Sequence, residues 1–331
     1  MRILLTVFLA SAVYCHAQTT PAVPKPPWAG ASQSRRDSQS AARSDPQPGQ
    51  QEDTTFKVDV KLVNVFVTVT DERGAPVANL AKDNFQLSED GIPQKISVFS
   101  KESELPLSIV LDIDTSLSTR KDLPLELNSA RRFAHAIIRP VDALSVFAFS
   151  ETVDQVVPFT SDLKAVDRGI ERLHMGAATA LYDAVYLGSE ALEGREGRKV
   201  MVVITDGGDT VSTTSYQEAL RAAQISEAIV YSIIVVPIEA SAGRDTGGEH
   251  ALIQLSQDTG GKYFYATTVP QLDEAFRTIS DELRTQYLLA YYPIKRIADS
   301  DFRRIEVQLT GPSSNDYKTR HRTGYYTSKL H

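Results

Sequence analysis

Three short segments of this sequence carry carboxylates and hydroxyls at the points where apolar runs stop. The apolar run Leu107 to Leu111 leads into Asp112 and then into Asp114-Thr115-Ser116-Leu117-Ser118. Thr179 lies in Gly176-Ala177-Ala178-Thr179-Ala180-Leu181-Tyr182-Asp183, where a helical pattern opens. Asp206 sits in Thr205-Asp206-Gly207, directly after the apolar run Val200 to Ile204. Carboxylates and hydroxyls are hard oxygen donors, which suit Mg²⁺, Mn²⁺ or Ca²⁺ and not soft metals. A plainer reading makes Ser116 and Ser118 helix caps and Asp206 a turn residue.

The elements that must position these segments follow from apolar periodicity. Leu127, Ala130, Phe133, Ala134, Ile137 and Ile138 fall at helical spacing, and Leu144 to Phe149 reads as the next strand. A short strand at Val156 to Phe159 follows, then helices through Val166, Ile170 and Leu173 and through Leu181, Val185 and Leu192. After strand Val200 to Ile204 come a helix near Tyr216 to Ala223, strand Ala228 to Val236 and a helix near Ala251 to Gln257. A strand at Tyr263 to Tyr265 and a helix through Leu272, Ala275, Phe276, Ile279 and Leu283 complete the series. Alternating apolar strands and amphipathic helices predict an α/β fold with a doubly wound, mainly parallel sheet. In such sheets ligands collect beyond the carboxyl ends of the strands, and all three polar segments reach that edge.

Both flanks of this region change to period two. Val58, Val60 and Leu62 alternate, then Val63, Val65, Val67 and Val69 continue in the opposite phase, which predicts a bulge or bend at Leu62-Val63. Phe85 to Glu89 and Ile96 to Phe99 are expected to pair around Asp90-Gly91. Strands return at Tyr287 to Tyr292, at Ile305, Val307 and Leu309, and from Tyr317 to Tyr326. Each set is too small for a comfortable sandwich. The expectation is therefore a smaller β-sandwich-like unit built from residues 56–104 and 286–327, with the α/β region 105–285 inserted into it.

The N-terminus carries Arg2, an apolar run from Ile3 to Val13, and Cys15-His16-Ala17 before Gln18. That layout predicts a secretory signal peptide over residues 1–17, and hence a periplasmic, cell-surface or secreted protein. A lipidated Cys15 is the rival reading, opposed by the bulky Val13-Tyr14 pair before it. Residues 18–55 are rich in Pro, Ser, Gln and Ala, a composition expected to form a disordered linker. Cys15 is the only cysteine of the 331 residues, so thiolate catalysis and cysteine-held zinc are excluded from the mature chain. The formal charge of -7 with no basic block argues against nucleic acid. No later apolar stretch reaches membrane-spanning length, the longest being Ala228 to Ile238.

Asp114, Ser116 and Ser118 match the Asp-x-Ser-x-Ser element of the von Willebrand factor A-domain family. Thr179 matches that family's threonine and Asp206 the aspartate of its Thr-Asp-Gly element. The resemblance covers roughly Leu105 to Arg284. It implies that these five residues form a metal-ion-dependent adhesion site for one divalent cation, Mg²⁺ first. It also implies a protein partner that presents an Asp or Glu carboxylate. Asp281-Glu282-Leu283-Arg284-Thr285-Gln286-Tyr287 and Tyr291-Tyr292-Pro293 resemble the Acidobacterial von Willebrand factor A-related proteins, as does Asn84-Phe85 through Gln94. Thr119 departs from the frequent Met at a position that is not a ligand, and Leu117 departs from the common Gly, a change that bears on the shape of the loop.

Other readings stay beside it. In one the chain is a structural scaffold whose cation site is vestigial. In another, Asp112-Ile113-Asp114-Thr115-Ser116 resembles the start of a haloacid dehalogenase-type phosphatase, with Asp112 as nucleophile, Asp114 as acid/base and Mg²⁺ as the clamp. The end of strand Ala228 to Val236 lacks the acidic pair such an enzyme needs. His135 reads as structural and His174, before Thr179, as exposed; His250 lies in the polar stretch Ser241 to His250, and His321 in an alternating strand. No His-x-x-x-His pair and no Gly-x-Ser-x-Gly elbow occurs, so no catalytic machinery is expected.

Overall fold

The computed structural model describes residues 62–101, 105–119, 123–236, 246–295, 302–311 and 316–327; of Ser118 it describes the backbone only. The signal-peptide and linker expectations, and the Val58 to Lys61 side of the expected bend, lie outside these residues. Strand β1 (Val63–Asp71) buries Val63, Val65, Val67 and Val69, the phase that its alternation predicts. Strands β2 (Phe85–Glu89) and β3 (Ile92–Gln94) form a tight hairpin. Asp90 (φ 49°) and Gly91 (φ 77°) both take the left-handed conformation that a two-residue turn of this kind requires. Ile96 to Phe99 does not continue that hairpin. Strand β4 (Ile96–Lys101) crosses to the opposite sheet, where Phe99 packs 5.7 Å from Phe85 between ring centroids.

The α/β region then runs β5 (Leu107–Asp114), α1 (Leu123–Ile137), β6 (Ala143–Phe149), β7 (Val153–Thr160), α2 (Leu163–Ile170) and α3 (Leu181–Glu193). It continues with β8 (Arg198–Thr205), α4 (Tyr216–Ile225), β9 (Ile229–Val235), α5 (Thr246–Thr259), β10 (Tyr263–Ala266) and α6 (Val269–Thr285). Six strands lie in the order β10-β9-β8-β5-β6-β7, all parallel except β7 against β6. Odd residues of β5, Leu107 to Ile113, pack under α1, α2 and α6, where Phe133 and Phe276 stack at 4.6 Å. Val110 faces the opposite layer of α3, α4 and α5. Both faces of the sheet are thus covered, which is why its strands read as nearly continuous apolar runs. Local chemistry fixes the helix starts: Ser215 and Glu218 form a capping box on α4, and Asp162 accepts from the Lys164 amide at α2.

Strands β11 (Tyr287–Tyr291), β12 (Phe302–Leu309), β13 (Tyr317–Arg320) and β14 (Gly324–Tyr326) return to the N-terminal strands. They complete two four-stranded sheets, β13-β1-β11-β4 and β14-β12-β2-β3, around a core of Val65, Val67, Leu87, Leu289, Tyr291 and Val307. The single expected strand over Tyr317 to Tyr326 is therefore two, divided between the sheets. At the break, His321 Nε2 accepts from the Val307 amide at 3.1 Å, and Nδ1 donates to the Arg322 carbonyl at 2.8 Å. The α/β region touches this segment through Gly260 (φ 85°), where a Cβ would lie 2.5 Å from the Arg322 nitrogen. One residue, Gln286, separates α6 from β11; it is buried and donates to Thr68 Oγ1 of β1 at 3.1 Å.

Candidate metal site at the carboxyl edge of the sheet

Strand β5 is the point at which strand order reverses. Helix α1 carries the chain from β5 to β6 on one side, and α3, on the other face, leads into β8 on the other side. Such a switch point opens a crevice beyond the carboxyl ends of the two central strands. Ile113 of β5 is paired with Ile204 of β8, so Asp114 and the Thr205-Asp206 turn emerge side by side.

Asp114 is fully buried. Its Oδ1 accepts from the Ser116 amide at 2.8 Å and its Oδ2 from Thr205 Oγ1 at 2.6 Å. Burial pushes its carboxyl up to about 6, hydrogen bonds from Thr205 and Ser116 oppose that rise, and the like charge of Asp206 adds to it. Ser116 is buried, and its carbonyl accepts from Thr119 Oγ1 at 2.9 Å, which closes the short 3₁₀ turn Leu117–Thr119 that carries Ser118. Asp206 is half-buried at the start of the turn after β8.

Thr179 is 6 % exposed, and both its backbone groups are tied to the loop beyond Asp206. Its amide donates to Thr210 Oγ1 at 2.9 Å, and its carbonyl accepts from the Thr210 amide at 2.8 Å. The segment before it is held as well: the Gly176 amide donates to the Thr115 carbonyl (3.0 Å) and the Ala180 amide to the Ser150 carbonyl (2.6 Å). Hydrogen bonds thus join the loops of Asp114, Thr179 and Asp206 along one edge.

Several positioning residues escape the sequence pattern. Asp183 Oδ1 accepts from the Thr214 amide (2.8 Å) and Oδ2 from the Thr213 amide (3.0 Å), which fastens the loop after β8 to α3. Burial acts to raise the Asp183 carboxyl, but the bonds from Thr214 and Thr213 outweigh it and hold it below the usual range. Asp209 accepts from the Tyr182 amide at 3.2 Å and binds Ser212 Oγ. Glu151 Oε2 accepts from the Ala177 amide at 2.6 Å, a bond that lowers its carboxyl. It crowds Gly176, where a Cβ would lie 2.2 Å from the same oxygen. Only the Asp-x-x-Ser spacing of Asp209 and Ser212 was a visible signal for such a clamp.

Asp112, the nucleophile of the phosphatase reading, does not reach the sheet edge. It lies wholly inside the layer beneath α3, 3.4 Å from where a Cβ on Gly188 would sit, and neither carboxylate oxygen has a hydrogen-bond partner among the described residues. Burial pushes its carboxyl well above the usual range. A phosphoryl group cannot reach it there. His174 is exposed, and His135 Nε2 lies 3.1 Å from Asp167 at the surface.

The residues fit a hard cation. Asp114 is buried, forms no salt bridge among the described residues, and feels the like charge of Asp206. Among the described residues no group of three or more His, Cys, Asp or Glu could hold a metal, so any cation here would rely largely on hydroxyls. Such a donor set would suit a hard cation such as Mg²⁺.

The family model described as von Willebrand factor type A domain matches residues 109–208, from β5 through the Thr-Asp-Gly turn. The α/β region is accordingly von Willebrand factor type A-like in sequence and in topology. Similar solved structures include the conserved hypothetical protein BatB from Bacteroides thetaiotaomicron. It is 20% identical with a TM-score of 0.44, over 54% of this chain and 100% of that one. The PilB minor pilin from Streptococcus sanguinis is 13% identical with a TM-score of 0.45, over 55% of this chain and 62% of that one. A von Willebrand factor type A protein from Catenulispora acidiphila is 11% identical with a TM-score of 0.48, over 82% of this chain and 74% of that one. No curated protein matches the chain. Among the described residues, no helix is long and apolar enough to cross a membrane.

Proposed function

We propose that this is an exported, non-enzymatic binding module of adhesion type, which grips a carboxylate of a protein partner through one divalent cation. Asp114, Ser116, Ser118, Thr179 and Asp206 would hold that cation, Mg²⁺ first, with Mn²⁺ or Ca²⁺ also suited. When bound, the cation supplies an electrophilic position that an Asp or Glu oxygen completes. The chain's own residues do the rest. Asp114 and Asp206 provide the negative charge, the hydroxyls provide neutral oxygens, and Asp183 and Asp209 keep the Thr179 and Asp206 loops in register.

The observation that carries this reading is a buried Asp114 placed against Asp206 at the switch point, with no salt bridge to offset it among the described residues. Export rests on the signal-peptide layout of residues 1–17, and places the module in the periplasm, at the cell surface or in the medium. A scaffold whose site merely stabilises the loops is the competing reading, favoured by the two hydrogen bonds that Asp114 already accepts.

Calorimetric titration of Mg²⁺ and Mn²⁺ into the purified protein separates the two. One binding site, abolished in Asp114→Ala and in Asp206→Ala with the fold intact by circular dichroism, is the expected result. Unchanged binding in both variants would move the cation elsewhere and end the proposal. Hydrolysis of a generic phosphate ester would return the phosphatase reading.

A further inference from the structure

The three sheets end in β13 and β4, in β10 and β7, and in β14 and β3. An edge strand turns unpaired amides and carbonyls outward and accepts another strand unless something blunts it. Most of these edges are blunted. β14 and β3 are three residues long, β3 with Pro93 at its centre, and β10 and β13 are four. β7 is longer but carries Pro158, which has no amide hydrogen, and shifts register twice against β6. β4 differs: its six residues, Ile96-Ser97-Val98-Phe99-Ser100-Lys101, include neither proline nor glycine. Its pairing with β11 is regular from Val98 to Lys101, and its register shift lies at the Ile96 end. Among the described residues no backbone bond joins β4 to any segment but β11, and Val98 is 41% exposed. Phe99 lies between the rings of Phe85 (5.7 Å) and Tyr287 (6.0 Å), so the strand is held extended before any partner arrives.

Charge decides what can pair there. Lys95 and Lys101 bracket the strand; both are exposed, and neither forms an ion pair among the described residues. Two copies of β4 aligned antiparallel about Val98 would set Lys95 of each against Lys101 of the other. A parallel, in-register pair would set each lysine against its own copy. Like charges directly opposite one another destabilise a strand pair, so the lysines bar self-association and leave the edge open to a strand of opposite charge.

We infer that β4 is a strand-addition site whose occupant is an extended segment of another protein, with an acidic residue at each end of a short β-forming stretch. The acidic ends meet Lys95 and Lys101, about 20 Å apart along an extended chain, and backbone bonds to β4 hold the middle. The site belongs to the small β-unit and needs no cation, so it stands or falls apart from the metal reading.

The probes are capped peptides: Glu-Thr-Val-Thr-Val-Thr-Glu, the same sequence with Lys at both ends, and the Glu-flanked peptide N-methylated at every residue between its ends. Each is titrated into the full protein in EDTA at low salt. Anisotropy of a label on the peptide reads affinity, and amide hydrogen exchange of Ile96–Lys101 reads the place. The Glu-flanked peptide should bind about tenfold more tightly than the Lys-flanked one, because two attractive charge pairs replace two repulsive ones. It should also slow exchange in β4, whereas the N-methylated peptide, with its charges but without amide donors, should not. In Lys95→Glu/Lys101→Glu the preference should reverse. Glu102 and Glu104 follow the strand outside the described residues, and this variant separates the lysines' share from theirs.

Equal affinity for the two unmethylated peptides would overturn the inference, as would a preference unchanged in the double variant. So would tight binding of the N-methylated peptide, which would leave charge alone at work. Binding that appears only when Mg²⁺ replaces EDTA would move the acidic peptide to the cation edge. A dimer in sedimentation with protected β4 amides would give the edge to a second copy, and no binding of the Glu-flanked peptide at millimolar concentration would end the proposal. Should the double variant fail to fold, Lys101→Glu alone must reduce the preference, or the inference falls.

Discussion

Consider Glu89→Ala. The Glu89 carboxylate is 1% exposed in the core between the two small sheets. Its Oε1 accepts from Arg303 Nη1 at 2.7 Å, and its Oε2 accepts from the hydroxyls of Tyr291 (2.6 Å) and Tyr325 (2.9 Å). Burial and the Glu89 charge push both tyrosine hydroxyls above their usual range, so they remain protonated donors. Glu89 lies on β2 and Tyr291 on β11, so this one carboxylate links the sheets, and also links the chain before the α/β region to the chain after it. Truncation leaves a buried guanidinium without its counter-charge, a loss of about 3–5 kcal/mol. Each stranded hydroxyl adds about 1 kcal/mol, while the Lys295 carbonyl, 3.2 Å from Arg303 Nη1, offsets part of the loss. A net loss of about 5 kcal/mol is comparable with the whole stability of many domains. Urea unfolding followed by circular dichroism measures it, and hydrogen exchange locates it: β1 and β11 amides should lose protection before those of β5 and β8. Glu89→Gln, which keeps the shape and one acceptor oxygen, should lose less. A loss under about 1 kcal/mol for Glu89→Ala would refute the reasoning, because it would mean that water or a shifted side chain satisfies all three donors.

Asp183→Ala should free the loop after β8 from α3 and weaken Mn²⁺ binding by about tenfold, as outer-sphere changes around metals do; unchanged calorimetric affinity would show the clamp irrelevant to the site. Asp112→Val should raise stability by about 1–3 kcal/mol, because it removes a buried acid that has no partner among the described residues; a lower urea midpoint would mean that Asp112 holds the strand in a way its contacts do not reveal. His321 is neutral in its two bonds, and burial lowers its pKa below the unfolded value of about 6.5. The unfolded chain therefore takes up the proton first, so the His321 contribution is full above that value and is lost as pH falls from there through the lowered folded pKa. Melting temperatures measured across pH 5 to 7 should drop less in His321→Gln than in the parent; an identical slope would exclude this histidine.

Local pattern revealed much of the α/β region, because helices and buried strands write their periods into consecutive residues. The segments of Asp114, Thr179 and Asp206 were visible for the same reason: each ends an apolar run or opens a helix. Pairing across the small sheets was less visible. Alternation does not tell which residues of Ile96 to Phe99 are buried, since Ile96 and Phe99 meet the core and Val98 is exposed beside a register shift, nor that β4 leaves its hairpin for β11. Likewise nothing within Tyr317 to Tyr326 marks the break at His321, whose cause is the distant Val307 amide and Gly260. The Asp112 burial was hidden because its neighbours Leu111 and Ile113 face the other layer, and Gly188, which makes room for it, lies far along the chain. Asp183 and Asp209 act on backbone amides of another segment, and apart from the Asp-x-x-Ser spacing of Asp209 and Ser212 such bonds leave no residue-type signature.

The antiparallel register of β1 and β11 has a mechanical consequence. Val63 lies opposite Tyr291 and Val67 opposite Tyr287, while β11 is joined to α6 through Gln286 alone. A pull on the chain ahead of β1, resisted by a partner held at the cation edge, would draw β1 by its Val63 end and β11 by its Tyr287 end. Those ends lie at opposite extremes of the pair. The strands would slide in shear, with their hydrogen bonds stressed together and not peeled one by one.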